Sequence, residues 1–114
     1  MKVAVIGSRG LSIDNLEKFI PENCTEIVSG GAIGIDECAA NYARKSRIKL
    51  IEFKPEYSMY RKNATLVRNR KIVDYSDIVL AFWDEKSRGT KYVIDYCKKI
   101  KKSCQVIVLK KEDR

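Results

Sequence analysis

Five short apolar runs, each separated from the next by a stretch long enough for a helix, constrain this chain more than anything else in it. Lys2–Ile6, Thr25–Val28, Lys49–Phe53, Asp77–Trp83 and Cys104–Leu109 are rich in β-branched and aromatic residues. Near-continuous apolar runs of this length suit strands buried on both faces of a parallel sheet. Between them the spacing predicts helices over about Asp14 to Ile20, Glu37 to Arg47, Ala64 to Tyr75 and Gly89 to Lys101. Asp14 and Glu17 have the separation of a capping box, and Pro21 closes that first helix. The alternation runs without a break, so the fold class is α/β, with right-handed crossovers placing helices on both sheet faces. At 114 residues the chain makes one domain, 1–114, with no linker or internal repeat.

The natural topology for five such strands is the Rossmann-like order 3-2-1-4-5, with its switch point between strands 1 and 4. Ligands bind such sheets outside the carboxyl ends of the strands. Four loops gather there: Gly7–Gly10, Ser29–Asp36, Lys54–Asn63 and Asp84–Thr90. The second carries Gly30, Gly31 and Gly34 on a strand-to-helix turn. Unpaired N–H groups and the positive end of the helix dipole make such a turn an anion cradle. The same glycines also suit close helix–sheet packing, and the pattern is neither a Walker loop nor G-x-G-x-x-G. Arg88-Gly89-Thr90 repeats the logic at the fourth helix. Arg9, between two glycines at the switch point, is placed to pin a phosphate through its guanidinium. Ser8 and Ser29 end strands 1 and 2 and can donate to the same anion.

The formal net charge of +8 favours an anionic partner, and Arg68-Asn69-Arg70-Lys71 is the basic cluster nearest those loops in sequence. A solvated helix face explains the cluster equally well. Tyr57 and Tyr60 either stack on bases or pack their loop onto the sheet. The chain has no histidine, and its four cysteines show no C-x-x-C spacing. No metal, resident cofactor or serine or cysteine nucleophile activated by histidine is therefore expected. The cysteines read as reduced thiols of a cytoplasmic protein. No run of 18 apolar residues is present, and Met1–Gly10 is too short for a signal peptide, so no membrane partner is expected.

Gly7-Ser8-Arg9, Ser29-Gly30-Gly31-Ala32-x-Gly34-x-Asp36, Arg68-Asn69, Ala81-Phe82-Trp83-Asp84 and Ser87-x-Gly89-Thr90 occur in the order and spacing of the small YspA-like (YAcAr) domains. These belong to the SLOG superfamily of Rossmann-like domains, and the resemblance covers nearly the whole chain. It implies binding of a nucleotide or nucleotide-derived ligand, as a sensor or accessory domain. Together with the glycine turns, Arg9 and the basic cluster read above, it gives as candidate ligand-binding residues Gly7, Ser8, Arg9, Ser29, Gly30, Gly31, Ala32, Gly34, Asp36, Arg68, Asn69, Arg70, Asp84, Gly89 and Thr90. Arg68-Asn69-Arg70-Lys71-Ile72 with Ser29-Gly30-Gly31-Ala32 also resembles the core of DNA-processing protein A, which implies single-stranded DNA as an alternative partner.

A third likeness is to the LOG phosphoribohydrolases, through Arg70-Lys71 and Gly89-Thr90. It breaks at the chemistry. Val93 stands where that group's motif has a glutamate, and Glu85-Lys86-Ser87-Arg88 precede in place of Pro-Gly-Gly. N-glycosidic cleavage needs a carboxylate at the sugar. Asp84 and Asp36 are the acids available to substitute, so an N-glycosidase would have to use a non-standard carboxylate. A second copy of the chain is left open as a further partner.

Overall fold

The computed structural model describes residues 1–110; the charged residues from 111 on lie outside the described residues. Five strands form one parallel sheet: β1 (Lys2–Gly7), β2 (Glu26–Ser29), β3 (Lys49–Glu52), β4 (Ile78–Trp83) and β5 (Ser103–Val108). Their order is β3-β2-β1-β4-β5, as the alternation predicts. Four α-helices follow in chain order: α1 (Ile35–Ser46), the short α2 (Tyr57–Tyr60), α3 (Ala64–Tyr75) and α4 (Arg88–Ile100).

Strand alternation divides the core in two. Val3, Val5, Ile27, Leu80 and Phe82 pack with Ile35, Ala39 and Ala43 of α1 on one face. Ala4, Ile6, Val28, Val79 and Ala81 meet Ile72 and Val73 of α3 and Val93, Ile94 and Cys97 of α4 on the other. The central strands β1 and β4 are buried from Val3 to Ile6 and from Val79 to Phe82, which is why their sequences read as unbroken apolar runs. β5 lies at the edge, with Val106 and Val108 exposed.

Two expectations fail locally. The helix over Asp14–Ile20 is only a single 3₁₀ turn, Leu16–Lys18, and Asn15 before it makes no side-chain cap. Asp14 and Glu17 are both exposed, and no capping box forms. Seven residues stopped by Pro21 cannot repay helix nucleation. The segment is held instead by its apolar side chains, with Leu16 buried and Phe19 edge-on to Phe82 at 5.4 Å between ring centroids. The loop Glu56–Asn63 is also more structured than expected, holding α2 and a 3₁₀ turn at Arg61–Asn63.

β1 hands the chain to the site through Gly7. A Cβ there would lie 2.6 Å from Ile35 Cγ1 and 2.7 Å from the Phe82 carbonyl oxygen. The glycine is what lets α1 start against the junction of β1 and β4. Gly7→Ala is expected to cost about 1–3 kcal/mol through overpacking, read as a lowered urea midpoint with an unchanged m-value.

Candidate functional site

The carboxyl ends of β1 and β4 open onto a cleft of about 420 Å³. Its walls bring together Gly7, Ser8, Arg9, Gly30, Ala32, Asp36, Arg68, Asn69, Asp84, Gly89 and Thr90, all expected from the sequence. Ile6, Gly10, Thr65, Leu66, Ile72, Ser87 and Val93 complete it. On α3, Thr65, Arg68, Asn69 and Ile72 fall at i, i+3, i+4 and i+7, which is one helical face. That spacing was available in the sequence as the signal for Thr65.

Arg70 and Lys71 leave the cleft. The Arg70 guanidinium lies 5.8 Å and 5.6 Å from the ring centroids of Tyr92 and Tyr96, and its Nε donates to Tyr92 Oη at 2.5 Å. Lys71 Nζ pairs with Glu56 Oε1 at 2.7 Å and sits 5.5 Å from the centre of the Tyr60 ring. The pair therefore steadies α4 and α2 against α3. Of the two tyrosines, Tyr60 is half-buried under that lysine, whereas Tyr57 stands exposed.

The glycine turn after β2 is built differently from an open cradle. Asp36, buried in the first turn of α1, accepts the Ala32 N–H at 3.1 Å through Oδ2. Ser29 Oγ, itself buried, accepts the Gly31 N–H at 3.4 Å. The Gly31 and Ala32 N–H groups of the turn are thus spent on the protein's own oxygens. Arg68 Nη1 donates to the Gly30 carbonyl at 2.8 Å, and Nε to Asn69 Oδ1 at 2.7 Å. A Cβ at Gly30 would lie 2.5 Å from that Nη1, so the residue is glycine to admit the guanidinium. Gly34, at φ +75, would put a Cβ 2.4 Å from the Arg9 carbonyl oxygen, so it serves packing. Gly31 and Gly34 do not line the cleft.

The start of α4 is the open one. Ser87 caps it, with Oγ accepting the Thr90 N–H at 3.4 Å. Asp84 Oδ1 accepts the N–H groups of Lys86 at 2.9 Å and Ser87 at 2.8 Å. Among the described residues this leaves the Arg88 and Gly89 N–H groups without a protein acceptor. A Cβ at Gly89 would meet nothing within 4 Å, and the first turn of α4 carries no acidic residue. Arg9, exposed, faces the same space.

The two acids of the cleft are shifted in opposite directions. Burial pushes the Asp36 carboxyl above its ordinary 3.8, against the downward pull of the Ala32 N–H and the Arg68 guanidinium. Burial likewise lowers Arg68 from its ordinary value, although an arginine remains protonated. The Ser87 and Lys86 N–H groups, followed by the Ser8 hydroxyl, hold Asp84 below 3.8. Asp84 is therefore an ionised acceptor with its lone pairs largely taken, and no proton donor at neutral pH.

These shifts give stability slopes of opposite sign. An ionised Asp36 is less welcome folded than unfolded. Relative to Asp36→Asn, the native chain should lose stability as pH rises through 3.8 to the raised folded value. Asp84 contributes stability above 3.8 that is lost as pH falls through its depressed folded value, and Asp84→Asn should remove that acid-side loss. Urea denaturation of the three proteins across acidic pH checks both signs.

No family model matches the chain, and no curated protein matches it. Among solved structures it is similar to DNA processing protein A from Helicobacter pylori, a protein described as having a unique single-stranded DNA binding mode. The two are 25% identical with a TM-score of 0.70; the match covers 93% of this chain and 64% of the other. That likeness agrees with the Rossmann-like sheet. Among the described residues, no helix is long and apolar enough to cross a membrane.

Proposed function

We propose that the cleft binds the phosphate of a nucleotide or nucleotide-derived ligand, with the anion held between Arg9, Arg68 and the first turn of α4. One observation carries this reading: Arg9, Arg68 and Gly89 line one cleft at the switch point, and among the described residues the Arg88 and Gly89 N–H groups at the start of α4 have no protein acceptor. The volume of about 420 Å³ falls within the range of small-ligand sites. The YspA-like motif order supports the same ligand class. Ser8 and Thr90 are both buried, so neither a serine nor a threonine nucleophile is invoked.

Single-stranded nucleic acid is the second reading, favoured by the likeness to DNA processing protein A. In this reading a backbone phosphate occupies the same place and the exposed Tyr57 offers a face for a base. The two readings separate by titration. A mononucleotide that binds as well as an oligonucleotide supports the first. An oligonucleotide that binds far more tightly, with several units of salt slope at about −0.7 per neutralised phosphate, supports the second.

Arg9→Ala should weaken either ligand roughly tenfold or more, the worth of a charge-assisted contact. Arg70→Ala should leave affinity within about twofold, because its side chain is spent on Tyr92 and Tyr96. Isothermal calorimetry with nucleoside monophosphates and a short oligonucleotide measures both. Equal loss in the two variants would remove the cleft from the reading.

A nucleotide bound there should not be hydrolysed. Val93 is buried in the cleft wall at the position where the phosphoribohydrolase motif has its glutamate. Asp95 is exposed and paired with Lys91 at 2.7 Å. General acid–base help is worth about 10²–10⁴-fold, so release of free base from AMP, dAMP, CMP or GMP should stay at background. Robust release abolished by Asp84→Asn would make Asp84 catalytic and reverse this reading.

A further inference from the structure

At the far end of α4 the fold brings two thiols together, away from the cleft. The helix ends at Lys101 in the left-handed region, at φ 59, and the Lys102 N–H donates back to the Cys97 carbonyl at 2.8 Å. The chain thus reverses at once, and β5 begins against the last turns of the helix. Cys104 is the second residue of β5, level with Val79 of β4, and packs into the core that α4 covers. Cys97 is fully buried in that same core. The Cys97 and Cys104 thiols are neighbours in this core, close enough for each to perturb the other's ionisation. All four cysteines are free thiols, and neither of these two touches the cleft.

The geometry points to Cys97 and Cys104 as a dithiol site that closes to an intramolecular disulfide when the chain meets a small-molecule disulfide such as oxidised glutathione. The two sulfurs have different tasks. Cys104 is half-buried, so an oxidant can reach it, whereas Cys97 is sealed. The neighbouring Cys97 thiol and the nearby Lys98 ammonium favour the Cys104 thiolate and hold it below its ordinary 9.0. The neighbouring Cys104 sulfur, with burial, pushes Cys97 up. Burial also raises Cys24, which leaves Cys104 the better nucleophile of those two.

The exchange balances in two displacements. The Cys104 thiolate attacks one sulfur of the small disulfide and expels a thiolate, forming a mixed disulfide. That thiolate takes the Cys97 proton. Cys97 then attacks the Cys104 sulfur and expels the second thiolate, which is protonated by solvent. Two electrons pass from the protein to the oxidant, and two small thiols are released. Attack by an adjacent thiol within one chain outpaces attack by a second molecule because its effective concentration is high.

The test treats the native chain with oxidised glutathione, alkylates the remaining thiols after denaturation, and maps the peptides by mass. The expected result is loss of two of the four alkylatable thiols, with one bridge joining Cys97 to Cys104 in a monomeric chain. Cys97→Ser, and Cys97→Ala in case serine is not tolerated in the core, should accumulate the glutathione adduct on Cys104. Cys104→Ser should leave Cys97 unmodified in the native state. Four intact thiols in the treated native chain would overturn the proposal. So would a bridge that uses Cys24 or Cys38 or joins two chains.

Discussion

The turn after β2 depends on one buried arrangement around Gly30. Asp36 draws the Ala32 N–H onto its carboxylate, and Arg68 reaches across from α3 to the Gly30 carbonyl at 2.8 Å. Together they tie the β2–α1 turn to α3, which is otherwise on the opposite face of the sheet from α1. A carboxylate and a guanidinium taken out of water repay little net stability. Their effect is positional: they fix one wall of the cleft before a ligand arrives, which lowers the ordering cost of binding.

This arrangement also changes the electrostatics of the site. Asp36 offsets the charge of Arg68, and Asp84 offsets that of Arg9, so the four charged side chains lining the cleft sum to zero. The net charge of +8 resides elsewhere, with Lys98, Lys99, Lys101 and Lys102 clustered at the far end of α4. Twelve residue steps separate the two ends of that helix, about 18 Å at 1.5 Å per residue. That exceeds the Debye length of about 8 Å at physiological salt. An anion in the cleft is thus held by local donors, while the lysines act on its approach.

The sheet was legible because burial on two faces leaves a pattern that little else imitates. The runs containing Val3–Ile6 and Val79–Phe82 are apolar without a break since both helical layers press on them. The segment at Asp14–Ile20 misled because the capping-box spacing of Asp14 and Glu17 says nothing of length, and length decides nucleation. The site was legible as a set of loops but not as a set of donors. Sequence places Arg68, Arg70 and Lys71 in one cluster, yet the helical step of 100° sends Arg68 into the cleft and Arg70 onto Tyr92. Likewise, glycines can be counted in a sequence, whereas the atom each would strike comes from an element remote in the chain: Arg68 for Gly30, Ile35 and Phe82 for Gly7.

The two helix starts at the mouth of the sheet look alike in sequence and differ in chemistry for one reason, an acid. The first turn of α1 holds Asp36 and Glu37, and the Asp36 carboxylate turns back to take the Ala32 N–H of the loop. It occupies the place a phosphate would take, as an anion supplied by the protein itself. Asp36, Glu37 and Glu52 outnumber Arg44 in the lining of the smaller cavity behind that turn, a balance that disfavours a second anion. The first turn of α4 has no acid, and its second residue is a glycine with open space beyond. Asp84 satisfies Lys86 and Ser87, just short of the helix, and stops there. The donors of Arg88 and Gly89 are left for a ligand. Whether a glycine-led helix start recruits an external anion is thus set by whether an aspartate stands within reach of its N–H groups.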